Sequence, residues 1–123
     1  MAGYSDVKAV TITADTVALD ADGISVAASV GNNAALTIGG ALASGGAVSL
    51  SHGRIVTILS AGNDAAISFT VTGTDVNGDS QTESITGANA GTATGTKFFK
   101  TISGISAVGN PAGNVSAGVN ASA

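Results

Sequence analysis

The chain has 123 residues, with 18 glycines, no cysteine, no tryptophan and a net charge of −4 from eight acidic and four basic residues. That length fits one domain with a modest core, and the 3% aromatic content makes it a core of small and β-branched side chains. Lys8, Arg54, Lys97 and Lys100 are too few and too scattered to form a basic stripe, so nucleic acid is not an expected partner. The missing cysteines remove disulfides and thiolate metal sites, and no run reaches the roughly 18 apolar residues of a membrane span.

The opening MAGYSDVKAV has no basic region followed by an apolar run, so no signal peptide is expected. Residues 1–8 read as a flexible arm. Short strand candidates follow at VKAVTIT (7–13), ISVAASV (24–30), ALTIG (35–39) and AVSLS (47–51), separated by the turn clusters DADG (20–23), GNN (31–33), GG (39–40) and SGG (44–46). The stretch NNAALTIGGALASGGA (32–47) contains helix formers, but each glycine costs a helix about 1 kcal/mol. One short turn is expected there and no long helix.

Strand-period alternation is clearest in RIVTILS (54–60) and ISFTVTGT (67–74), then in QTESIT (81–86) and KFFKTISGISAV (97–108), with NVSAGV (114–119) a weaker case. AGND (61–64) and GNPAGN (109–114) are further turn clusters, and TGANAGTATGT (86–96) reads as an exposed, flexible loop. Strands spaced roughly 8–12 residues apart between such turns predict an all-β fold, an antiparallel β-sandwich of immunoglobulin-like or jelly-roll-like kind with little or no helix. The sandwich domain is placed at 9–119 and a flexible tail at 120–123.

DVNGDSQTE (75–83) can be read as a calcium loop or as a hairpin turn. In an EF-hand loop starting at Asp75, Asp75, Asn77 and Asp79 occupy ligand positions, but glycine falls at Gly78 rather than at position 6, which is Ser80, and position 12 is Thr86. The hairpin is the preferred reading, and no metal is required. Asn-Gly favours a tight turn. A two-residue loop at 77–78 sets Ile85 opposite Thr70 and splits the apolar face. A three-residue loop at 76–78, with Gly78 left-handed, sets Ile85 opposite Phe69 and Glu83 opposite Val71, gathering Ile67, Phe69 and Ile85 on one face.

No catalytic or cofactor-binding residue is assigned. His52 is the single histidine and no GxSxG elbow accompanies it. The glycines at 87, 91 and 95 lack the lysine of a P-loop, and the carboxylates are spread singly, with only Asp20/Asp22 and Asp75/Asp79 as near neighbours. The chain is therefore read as a non-enzyme. Phe98 and Phe99 are the most informative pair. Neighbours on a strand face opposite ways, so only one enters a given core. The other is an anchor for a second subunit or is covered by a loop of the same chain.

The run SAGNDAAISFTVTGTDVNGDSQTESITGANAGTATGTKFFKTISGISAVGNPAGNVSAGV (60–119) resembles small virion structural proteins of tailed bacteriophages, through its SAGND turn, its FTVTGTD.NG hairpin, TE.ITG.NAGT and the closing GNVSAG. The resemblance covers about half the chain and carries turns and strands, with no catalytic residues to transfer. It implies a capsid decoration (cement) protein, made in the host cytoplasm and bound to the capsid exterior. It further implies the major capsid protein as partner and a homotrimer at three-fold positions. In that setting residues 1–8, with Tyr4 and Val7 as contacts, order on a partner, and VKAVTIT adds a strand to a partner's edge.

TGTDVNGDSQTESIT (72–86) also resembles the last hairpin of the bacterial immunoglobulin-like repeats found in adhesins. The alternative expectation is therefore an immunoglobulin-like module of a phage tail or fibre, or of a bacterial surface adhesin.

Overall fold

The computed structural model describes residues 20–120. Seven strands account for the described secondary structure: β1 Asp20–Ser29, β2 Ala43–Ser44, β3 Ala47–Ser60, β4 Ser68–Thr74, β5 Ser80–Thr86, β6 Thr92–Val108 and β7 Asn114–Val119. The protein is all-β and antiparallel, and no helix occurs among the described residues. One ladder in the order β1-β7-β3-β6-β4-β5 joins the strands, and β2 pairs separately with β3.

The ladder curls, and β6 is the strand that turns it. Its first half pairs with β3, as in Arg54↔Phe99 and Ile58↔Ala93, while its second half, from Thr101 to Val108, pairs with β4. β5 stands two places from β6 in the ladder, yet the Glu83 carboxylate accepts the Thr96 N–H at 2.6 Å. The β4–β5 hairpin thus returns beneath the start of β6, giving the two facing layers of a sandwich-like fold. Between them lie Phe69 and Phe99, both fully buried, with Val56, Ile58, Val71 and Ile102. Among the described residues two phenylalanines supply the aromatic rings of this buried core, and β-branched residues fill most of the rest.

Several sequence expectations change in detail. DADG is part of β1, because Asp20 pairs with Val119 and the strand runs on to Ser29. AVSLS and RIVTILS join into one 14-residue strand through Ser51–Gly53, with ladder shifts absorbing the glycine. ALTIG is not a strand: only Ala35 makes a bridge, to Ser106, and Leu36 and Ala107 exchange hydrogen bonds with Ile105 and Ala34 as a covering segment. The expected loop at 86–96 is strand from Thr92 onward. Asn120, the first residue of the expected tail, donates its N–H to Ile55 O at 2.8 Å. VKAVTIT, the arm at 1–8 and residues 121–123 lie outside the described residues.

Candidate protein interface

The Phe98/Phe99 pair resolves as strand geometry demands. Phe99 is 0% exposed, while Phe98, one residue earlier and on the opposite face, is 40% exposed. Phe98 pairs with Ile55 across the β3–β6 ladder, and its carbonyl accepts a 2.8 Å hydrogen bond from Gln81 Nε2. Beside it stands Val76, at the tip of the β4–β5 hairpin and 57% exposed. Gly53 marks how closely the three elements meet, since a Cβ there would lie 2.5 Å from Val76 Cγ1 and 3.2 Å from Phe98 Cβ. The hairpin tip therefore flanks Phe98 without covering it. Phe98, Val76 and the half-buried Ile55 form an apolar surface at the junction of three elements. Tyr4 and Val7, the other interface candidates, lie outside the described residues.

The hairpin that carries Val76 follows the three-residue-loop register. Phe69 pairs with Ile85 and Val71 with Glu83. Gly78 is left-handed at φ 88°, its N–H donates to Asp75 O at 3.0 Å, and Asp75 N–H donates to Asp79 O at 2.9 Å. Asp75 Oδ1 accepts the N–H groups of Asn77 at 2.8 Å and Asp79 at 3.0 Å. This carboxylate is thus engaged in holding the turn, an Asx arrangement. Among the described residues no group of three or more His, Cys, Asp or Glu side chains is placed to hold a metal ion. His52 is exposed, with Ser51 Oγ 3.3 Å from its Nδ1.

Three charged residues, Glu83, Arg54 and Asp64, are buried among the described residues and were not singled out from the sequence, the first two on strands. Glu83 is 8% exposed and its carboxylate accepts from Thr96 N–H, Thr96 Oγ1 and, at 3.3 Å, Lys97 N–H, closing backbone donors at the start of β6. Arg54 is 2% exposed and donates through Nη2 to Asn120 O, tying β3 to the end of β7. Parity held the signal for both: Arg54 alternates in step with Val56 and Ile58, and Glu83 with Ile85, all of them buried.

Three of the four motifs behind the phage-protein resemblance meet at one end of the molecule. Asp64 of SAGND is fully buried, its Oδ1 accepts Ala112 N–H at 2.7 Å, and its N–H donates to Ala88 O at 2.9 Å. Asn63 bridges Asn89, Ala90 N–H donates to Gly62 O, and Ala61 N–H to Asn114 O. SAGND, NAGT and GNVSAG are therefore three strands' ends held in one clasp, made by backbone hydrogen bonds and the buried Asp64 side chain. No family model, curated protein or solved structure matches this chain.

Proposed function

We propose that this chain is a non-enzymatic structural protein of a tailed-phage virion, which decorates the capsid exterior as a trimer and stabilises the shell through symmetric contacts. The observation that carries the reading is the Phe98–Val76–Ile55 surface. It is an apolar surface presented where three elements meet closely, in a chain with very few large apolar side chains to spare. Small contacts of this kind gain strength by repetition, since a symmetric shell turns each weak bond into many. The net charge of −4 suits an outward position better than one facing packaged DNA. The motif resemblance over residues 60–119 supplies the virion context, and the clasp built by those motifs gives it a structural meaning.

The test is cosedimentation of the purified protein with capsids of its phage, wild type against Phe98→Ser. The reading expects wild type to pellet with capsids and to raise their disruption temperature. It expects Phe98→Ser to stay in the supernatant while keeping its fold. Absence of wild-type binding contradicts it, and binding to tails alone favours the fibre-module alternative.

A further inference from the structure

The ladder ends in two edges of different character. β1 meets β7 through two register shifts, whereas β5 meets β4 in seven consecutive pairs from Thr74↔Ser80 to Ser68↔Thr86 without a break. The hydrogen-bond phase of β5 is set at both ends, by Asp75 N–H to Asp79 O and by Gly87 N–H to Ile67 O. Alternation between them turns the backbone groups of residues 81, 83 and 85 toward β4, and those of Ser80, Thr82, Ser84 and Thr86 outward. These last four residues are all exposed, and no described strand pairs with them.

Exposed edges are normally blunted by proline, bulges or charge. β5, SQTESIT, has no proline, lysine or bulge, and its one charge, Glu83, is buried inward. The cover it has is Lys97, whose Nζ donates to Thr82 O at 2.9 Å. That is one flexible side chain on one carbonyl.

We infer that the outer edge of β5 accepts residues 7–13, VKAVTIT, of a second copy of this chain as an added strand. The segment has strand-period alternation and seven residues, the length of β5. In the ladder order its own β5 is the edge farthest from the strand that the segment leads into. The 19 residues before Asp20 lead into β1, at the opposite end of the ladder, and β1 packs on β7, β3 and β2. Donation to a neighbour is head-to-tail, and three such contacts close a ring. The added strand also adjoins the Val76 hairpin tip and thus extends the Phe98 surface. The inference rests on the self-association in the proposed function and not on the capsid.

Sedimentation of the full-length purified chain, without capsids, tests it. Ser84→Pro removes one outward N–H and leaves the β4 pairing untouched, as proline on an edge strand does. Val10→Asp alters the donor strand instead. Wild type is expected to sediment as an oligomer and both variants as folded monomers with unchanged circular dichroism. A 1:1 mixture of the two variants is expected to give a heterodimer and nothing larger, because one contact per pair is restored. A monomeric wild type, a Ser84→Pro protein that keeps the wild-type mass, or a mixture that stays monomeric each overturns the inference. Capsid cosedimentation reads the proposed function separately, so either can fail without the other.

Discussion

The Glu83 carboxylate occupies the space that a side chain at Gly95 would need: a Cβ there would lie 2.7 Å from Glu83 Oε1 and 3.0 Å from Ile85 Cδ1. This contact between β5 and β6 is where the curled ladder closes, so glycine at 95 and an acceptor at 83 belong to one device. Gly95→Ala is expected to destabilise by about 1–3 kcal/mol through overpacking. Glu83→Gln is expected to cost about 1–3 kcal/mol, because an amide NH2 replaces an acceptor facing backbone donors. Urea unfolding measures both, and a neutral Gly95→Ala would contradict the close approach.

Phe98 and Phe99 should separate stability from assembly. Phe99→Ser removes a fully buried ring and is expected to cost about 3–5 kcal/mol. Phe98→Ser is expected to cost about 1–2 kcal/mol, since the ring is only partly buried, and to abolish assembly. Thermal melts and sedimentation of each variant decide this, and equal unfolding of both would remove support for the interface.

Asp64 has one oxygen with a partner and one without: Oδ1 holds Ala112 N–H, while Oδ2 is buried with no hydrogen bond. An unpartnered buried charge is costly. Asp64→Asn keeps the acceptor and removes the charge, so it is expected to hold or raise the melting temperature. Asp64→Ala loses the clasp and is expected to cost about 1–3 kcal/mol. If Asn proved as damaging as Ala, the charge itself would have a role that the clasp does not explain.

The DVNGDS hairpin is expected to fold without metal, and melting curves with chelator and with added calcium should coincide. Gly78→Ala places a side chain at φ 88° in otherwise open space, so its expected cost of about 1 kcal/mol is purely conformational. A calcium-dependent rise in melting temperature would mean that Asp75 and Asp79 bind an ion as well as the turn.

Local pattern made the β4–β5 hairpin legible to the residue, because turn chemistry and a two-residue period together leave one register that keeps Phe69 and Ile85 on one face. The same period identified β7. Long-range pairing was not legible: nothing in DADG announces that Asp20 meets Val119, and nothing in ALTIG says that it covers β6 instead of joining the sheet. AVSLS and RIVTILS read as two strands, whereas they are one, and Gly53 within it marks where Val76 and Phe98 crowd the strand. Of the candidate surface, the sequence offered the phenylalanine pair. Which ring faces out, and that Val76 stands beside it, depend on how β6 turns between layers.

Cryo-electron microscopy of the phage virion proposed to carry this protein tests the central claim most directly. The account predicts trimeric density repeated over the outside of the icosahedral shell, with the Phe98 surface and the β5 edge at protein contacts. Density confined to the tail, or none on the shell, would contradict it.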